Sequence, residues 1–118
     1  MEISEMFDEI VTALEDKKAR ELRVIDIQEL TTVATYFIIC SGTSTTHIKT
    51  LADEVEFRLR EKGVTPLRLE GYNSARWILI DYGDIVVHIF HEEDREFYNL
   101  ERLWRDGRSI SVENSEQN

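Results

Sequence analysis

Apolar residues recur at helical spacing in three stretches of the chain, with polar residues between them. Each set follows the i, i+3, i+4 pattern, and the second ends at a glycine, a common helix stop. The three sets are Met6, Phe7, Ile10, Val11 and Leu14; Ile48, Leu51, Ala52, Val55 and Leu59, ending at Gly63; and Phe97, Leu100, Leu103 and Trp104, within residues 91–105. The pattern therefore predicts three main helices.

Shorter apolar or alternating segments lie between these helices and predict five strands. They are residues 21–27, residues 36–40, residues 67–69 and the two arms of a hairpin within residues 77–90. The order of helix, two strands, helix, three strands and helix is typical of the α/β class with a mixed sheet. We predict a single α/β domain over residues 1–105, with a mixed five-stranded sheet, and a polar, disordered tail over residues 106–118.

The hairpin is the most informative segment because both of its faces can be assigned. A two-residue turn at Tyr82 and Gly83 would set Asp81 opposite Asp84 and Trp77 opposite His88. Like charges directly opposite on a ladder destabilise it by roughly 0.2–1 kcal/mol, so facing aspartates would indicate a use other than folding.

The two faces of this hairpin differ sharply in composition. One face is wholly apolar and predicts packing under helices; it carries Ile78, Ile80, Ile85, Val87 and Ile89. The other, which we call the mixed face, carries Trp77, Leu79, Asp81, Asp84, Val86, His88 and Phe90. The mixed face favours either a partner-binding patch or a surface beneath a helix that stops short of the turn. For Trp77, a residue type enriched in binding hot spots, the alternative is core packing under the third helix.

Charge changes the range of partners that the chain can bind. The 24 acidic and 14 basic residues give a formal net charge of −10, which repels nucleic-acid phosphates and anionic lipids. A basic protein partner would be favoured, although the charge alone can also serve solubility.

The single cysteine, Cys40, lies in an apolar run and is expected to be buried and inert. No membrane span or secretory leader is recognisable, so the cytoplasm is the expected compartment.

Two further segments suggest chemistry, and each has a plainer interpretation. The turn Ser41-Gly42-Thr43-Ser44 lies between a strand and a helix, where backbone N–H groups can cradle a phosphate, but the carboxylate pair that a nucleotidyltransferase needs is absent from residues 67–69. A helix N-cap at Thr43, Ser44 or Thr45 is favoured. His88 and His91 point to opposite faces of a strand, so a metal site is disfavoured, and we expect no cofactor.

Four groups of residues, in order along the chain, carry a resemblance to a known family. They are Tyr36-Phe37-Ile38-Ile39-Cys40-Ser41-Gly42-Thr43-Ser44; Glu70-Gly71 with Asn73-Ser74-Ala75 and Trp77; Asp81-Tyr82-Gly83-Asp84-Ile85-Val86-Val87-His88; and Arg95, Tyr98, Leu100-Glu101 and Leu103-Trp104. With them the chain closely resembles the bacterial ribosomal silencing factors, the RsfS or Iojap-related family. One departure is Ala34-Thr35, where relatives often have Thr-Asp.

The resemblance implies a non-enzymatic translation repressor. Such a protein would bind the large ribosomal subunit through its fourteenth protein, block joining of the small subunit when nutrients are scarce, and have a nucleotidyltransferase-like fold without the catalytic carboxylates. The resemblance places the binding surface on Trp77, Asp81, Phe90 and Tyr98. Position on the mixed face or at the following helix start extends it to Leu79, Asp84, Val86, His88 and Glu92.

Three alternatives stay open from the sequence. The same contact could serve assembly of the large subunit instead of silencing. A nucleotide-binding transferase would use Gly42 to Ser44 for phosphates and Asp81 or Asp84 for magnesium. An apolar face that binds a partner could also pair with a second copy of the chain, giving a homodimer when the partner is absent.

Overall fold

The computed structural model describes residues 1–29, 34–94 and 108–110, the last as backbone positions. Its elements are α1 (Ile3–Asp16), β1 (Arg20–Asp26), β2 (Tyr36–Gly42), α2 (Thr45–Glu61), β3 (Arg68–Glu70), β4 (Trp77–Asp81), β5 (Ile85–His91) and β6 (Arg108–Ile110). The predicted α/β class, the first two helices and all five predicted strands are confirmed.

The strands form one mixed sheet in the order β3-β4-β5-β2-β1-β6. β2 and β5 run parallel at its centre, and the other neighbouring pairs are antiparallel. The prediction of five strands was one strand short. β6 pairs with β1 and lies within the segment predicted to be a disordered tail, where three residues gave no recognisable strand pattern.

The third predicted helix, over residues 91–105, lies outside the described residues apart from its first four positions. There the structure differs from the prediction, because His91 is the last residue of β5 and a turn follows at residues 92–94. β5 is therefore one residue longer than the hairpin arm inferred from the sequence.

The predicted register of the hairpin was wrong by two residues. Asp81 lies opposite Val86, Leu79 opposite His88 and Trp77 opposite Phe90. The two central turn residues are Gly83 and Asp84, because the Tyr82 N–H donates to the Ile85 carbonyl at 2.9 Å. Gly83 has a φ of +91°, which suits glycine at the first central position of a type II′ turn, whereas a turn at Tyr82-Gly83 would favour positive φ at a tyrosine. The facing aspartates that the sequence predicted do not occur.

A shift of two residues leaves every side chain on its predicted face, since side chains alternate with a period of two. The five branched residues of the apolar face are fully buried in one core with residues of α1 and α2. That core also contains Ile38 and Cys40 of β2, so the expected burial of the cysteine is confirmed. The two helices therefore cover one side of the sheet, and the mixed face looks to the other side.

Candidate functional site

A cluster of aromatic rings lies at the centre of the mixed face. The rings of Trp77 and Phe90 are 5.0 Å apart between centroids, and those of Phe37 and His88 are 4.7 Å apart. His88 also lies parallel to Phe90, with 7° between the ring planes. The parallel pairing of β2 with β5 sets Phe37 beside Val86 and thereby brings a β2 residue into the cluster. We refer to Phe37, Trp77, His88 and Phe90 as the aromatic cluster.

The predicted apolar contact residues fall into two groups by exposure. Val86, His88 and Phe90 are buried, with 8%, 4% and 0% of their surface exposed. Trp77 and Leu79 are only partly buried. The first group is therefore covered in the free protein, while the second can contact a partner directly. Alternation along a strand predicts the face of a residue but not what covers it, so the sequence did not separate these groups.

The acidic residues near this face differ in how tightly they are held. Asp81 lies opposite Arg68 of β3, and its Oδ2 is 3.2 Å from a guanidinium nitrogen of that arginine. The other Asp81 oxygen accepts the Gly83 backbone N–H at 2.8 Å. Asp84 is exposed in the turn, and Glu92 is exposed after β5, at 4.0 Å from Arg20. Asp84 and Glu92 are therefore the acids that a cationic partner can reach most easily.

His88 is held in its neutral form. Its Nδ1 accepts the Trp77 indole N–H at 3.1 Å, which places the ring proton on Nε2. Burial lowers the pKa of His88 to about 4, against a smaller opposing effect of the Asp81 charge. The buried Nε2 has no hydrogen-bond partner among the described residues. At neutral pH the ring is thus an uncharged acceptor for Trp77.

The site contains two residues that sequence reasoning did not assign to it. Phe37 and Arg68 were predicted only to lie in strands, over residues 36–40 and 67–69. Their positions depend on pairing between distant segments, β2 with β5 and β3 with β4, so no local pattern could have identified them. The predicted contact at Tyr98 lies outside the described residues.

The Ser41 to Ser44 turn has the plainer of its two predicted roles. The Ser44 side chain caps α2 by accepting the His47 N–H at 3.0 Å. His47 in turn accepts the Thr43 N–H at Nδ1 and is 2.8 Å from the Lys17 carbonyl at Nε2. The turn thus joins the start of α2 to the end of α1.

The groups that a nucleotide-binding transferase would need are far apart. In the β2–β5 register Gly42 pairs with His91, whereas Asp84 adjoins the opposite end of β5. Six residue steps of a strand separate the two ends by about 20 Å, too far for one phosphate and magnesium site. In the part of the chain that the structure describes, no three His, Cys, Asp or Glu side chains are grouped to hold a metal ion.

No helix among the described residues has both the length and the apolar character needed to cross a bilayer.

The chain matches known proteins over its whole length. The family model described as "Ribosomal silencing factor during starvation" matches residues 1–118. A ribosomal silencing factor RsfS of Halalkalibacterium halodurans is 40% identical, over 96% of this chain and 97% of its own. A crystal structure of a Chromobacterium violaceum protein is 36% identical, with a TM-score of 0.85, and the match covers 96% of this chain and 93% of that one.

A more distant relative has a name that refers to assembly. The mouse protein named "Mitochondrial assembly of ribosomal large subunit protein 1" is 32% identical over 82% of this chain and 44% of its own length. Together with the family match over the full sequence and the bacterial relatives, these comparisons show that the chain belongs to the RsfS family of ribosomal silencing factors, regulatory proteins rather than enzymes.

Proposed function

We propose that this protein represses translation by binding the large ribosomal subunit through its fourteenth protein and blocking association with the small subunit, notably under nutrient limitation. The family description, a silencing factor during starvation, supports this role. A protein that works on ribosomes in this way would act in the cytoplasm. Because the net charge of −10 repels RNA phosphates, the contact is made to a ribosomal protein and not to RNA directly.

The observation that carries the proposal is the partly exposed Trp77 and Leu79 on the sheet face that is turned away from α1 and α2. Aromatic residues at the centre of a small apolar patch, with polar groups around them, are the usual anchors of protein interfaces. Asp81 adjoins the patch, and Asp84 and Glu92 supply exposed negative charge near it, which suits a basic partner.

Each predicted contact residue has a role in the proposed interface. Trp77, Leu79, Asp81, Asp84, Glu92 and Tyr98 contact the partner, while Val86, His88 and Phe90 form the buried support. Docking through the mixed face would turn α1 and α2 away from the large subunit, because the helices lie on the other side of the sheet. The helical layer would then occupy space that the joining subunit needs, so repression follows from shape and affinity without chemistry.

Sucrose-gradient sedimentation tests both parts of the proposal. Purified large and small subunits are mixed with wild type, Trp77→Ala or an Asp81→Lys/Asp84→Lys double variant. We expect wild type to migrate with the large subunit and to reduce the joined-ribosome peak, and the variants to lose both effects while remaining folded by circular dichroism. Failure of the wild type to migrate with the large subunit, or to affect joining, would show the proposal to be wrong.

A matched control comes from the opposite side of the sheet. Phe57 of α2 is an aromatic residue with 50% of its surface exposed, but it lies in the helical layer. Phe57→Ala should therefore bind the large subunit and block joining as wild type does. Equal loss of binding in Phe57→Ala and Trp77→Ala would mean that the mixed face is not the docking surface.

A role in assembly of the large subunit is the second candidate, favoured by the mouse relative named for that process. It would use the same contact. Cells depleted of the protein distinguish the roles: immature large subunits should accumulate during growth if assembly is the main role. If silencing is the main role, mature subunits should instead stay joined when nutrients run out.

The transferase alternative has less support, because Gly42 and Asp84 lie at opposite ends of the central strands. Calorimetric titration with ATP and magnesium tests it directly, and saturable micromolar binding would restore it. The nucleotidyltransferase-like fold likewise stays a prediction from the resemblance.

Self-association through the mixed face is a separate part of the proposal. A partly exposed apolar patch that lacks its partner can be covered by a second copy of the same patch. We expect a dimer at tens of micromolar by analytical ultracentrifugation, weakened by Trp77→Ala. Only the monomer mass for wild type at that concentration would exclude it.

A further inference from the structure

The Trp77 indole forms a hydrogen bond with the neighbouring strand. Trp77 pairs with Phe90 on the ladder, yet its indole N–H reaches diagonally to Nδ1 of His88, at 3.1 Å. We propose that His88 is a positioning residue, which holds the Trp77 ring in the orientation that enters the partner. This inference rests on the proposed docking function of the mixed face and assigns a role to a residue that the partner need not touch.

The side chain of His88 lies in apolar surroundings, where a hydrocarbon side chain would be expected. The presence of an imidazole there therefore indicates a specific role. The ring lies 4.7 Å from Phe37 and parallel to Phe90, and 4% of the residue is exposed. A leucine or phenylalanine could fill such a site without burying a polar atom. Histidine instead leaves Nε2 buried without a partner among the described residues, which is unfavourable. What the imidazole adds, and a hydrocarbon side chain cannot, is an acceptor at Nδ1.

That acceptor is present only while the ring is neutral. A protonated imidazole donates from both nitrogens and cannot accept from an indole. Burial among the aromatic rings disfavours the charged form and keeps the pKa of His88 near 4, while Asp81 is the charged group that acts in the opposite direction. The bond between His88 and Trp77 is therefore available across the whole neutral range.

A fixed indole improves docking by reducing the entropy lost on binding. Trp77 is partly exposed, and its ring is held by the His88 contact on one side and by Phe90 at 5.0 Å on the other. Immobilising a mobile side chain on association weakens affinity, and a side chain already held in its bound conformation avoids that loss. We expect removal of the acceptor to weaken binding to the large subunit about tenfold, equivalent to about 1.4 kcal/mol.

Three substitutions at position 88 separate the acceptor from the packing. In His88→Asn a side-chain oxygen can occupy the place of Nδ1, since both atoms are bonded to Cγ. His88→Gln moves the amide one bond further out, and His88→Phe keeps the ring but removes the acceptor. We expect His88→Asn to bind more tightly than His88→Gln, and His88→Phe to be stably folded but about tenfold weaker than wild type. Urea denaturation of each variant establishes that it is folded.

The mobility of the Trp77 ring in the free protein can be measured. It should not change on substitution of His88 if that residue only fills space in the aromatic cluster. The chain has two tryptophans, so a Trp104→Phe background isolates the signal of Trp77. Fluorescence anisotropy decay should show a more mobile indole in His88→Phe than in wild type or His88→Asn. The indole N–H proton resonance should also shift upfield when the acceptor is removed.

The outcomes distinguish this inference from the proposed function. If wild type does not migrate with the large subunit, the docking function itself is wrong and the inference fails with it. If wild type binds but a folded His88→Phe binds as tightly, only the inference is overturned. An indole that stays equally fixed in His88→Phe would also overturn it.

Discussion

Arg68 and Asp81 lie directly opposite each other on β3 and β4, and their side chains form an ion pair at 3.2 Å. The same aspartate accepts the Gly83 backbone N–H through its other oxygen, so it joins the edge of the sheet to the hairpin turn. The two interactions can be separated because an asparagine at this position would keep the acceptor for Gly83 but lose the charge.

Asp81→Asn should therefore destabilise the protein only slightly. The Arg68 side chain is 58% exposed, and pairs of this kind contribute up to about 1 kcal/mol. Asp81→Ala also removes the acceptor of the turn and should cost about 1–2 kcal/mol in total. Urea denaturation of both variants, with Glu70→Gln as a control for the other partner of Arg68, measures the difference. Equal losses in the two Asp81 variants would show that the charge, and not the turn hydrogen bond, dominates.

Gly71→Ala should be far more damaging than Gly63→Ala. Both glycines have left-handed backbone, with φ of +79° and +82°. A Cβ at Gly71 would lie 2.1 Å from the Trp77 carbonyl oxygen, whereas one at Gly63 would meet nothing within 4 Å. The backbone cost is about 1 kcal/mol at each position, and the clash should add about 2 kcal/mol or more at Gly71.

The free energies of unfolding of these two alanine variants, measured side by side, isolate the effect of the clash. Because the obstructing atom belongs to Trp77, Gly71→Ala should also weaken binding to the large subunit, and Gly63→Ala should not. Similar destabilisation by both substitutions would contradict the close approach of Gly71 to β4.

Because of His88, the protein should become less stable as the pH falls from about 6.5 to about 4. Burial lowers the pKa of His88 from 6.5 to about 4 in the folded protein. Between these values the unfolded chain binds a proton at this residue and the folded chain does not, so protons favour unfolding. The free energy of unfolding should therefore be highest above pH 6.5 and should be about 3 kcal/mol lower by about pH 4.

Urea denaturation at half-unit steps from pH 7 to pH 4 measures this dependence, and His88→Phe is the control. Subtracting the two curves removes the contributions of the other titrating groups, including Asp94, whose pKa is lowered by its hydrogen bond with Arg76. If the curves of wild type and His88→Phe are parallel across the window, His88 is not a buried neutral imidazole.

Truncation tests the predicted boundary of the domain at residue 105. A chain ending there lacks β6 and leaves the outer edge of β1 without its antiparallel neighbour. We expect a loss of about 1–3 kcal/mol, and association at high concentration through the open edge. A chain ending at residue 112 keeps β6 and serves as the control. Equal stability of the two truncated chains would show that β6 adds nothing to the fold.

Patterns within single segments predicted the parts of the fold that depend on local spacing. The helical period of Leu51, Val55 and Leu59 identified the buried side of α2, and the strand alternation of Ile78 and Ile80 identified the buried face of β4. These patterns do not depend on the partner strand, which is why the face assignments were confirmed although the hairpin register was wrong.

The predictions that were wrong or missing all depended on contacts between distant segments or on the stereochemistry of the turn. Tyr82-Gly83 and Gly83-Asp84 are both reasonable two-residue turns by composition. The hydrogen bond between Tyr82 and Ile85 distinguishes them, together with the placing of glycine, and not tyrosine, at the first central position, where φ is positive. The contact of His47 with the Lys17 carbonyl could not be predicted from a local pattern, because the two residues are 30 apart in the chain. The burial of Val86 and Phe90 could not be predicted either, since a strand pattern contains no information on what covers a face.

The parallel pairing of β2 with β5 also determines when the protein becomes functional during its own synthesis. Parallel strands need a long connection, and here α2, β3 and β4 must all be made before β5 can join β2. The mixed face requires both strands, because Phe37 comes from one and His88 and Phe90 come from the other. A nascent chain therefore cannot form the proposed docking surface until residue 91 has left the exit tunnel, and if the proposal is right, an incomplete chain cannot engage the ribosome that is producing it.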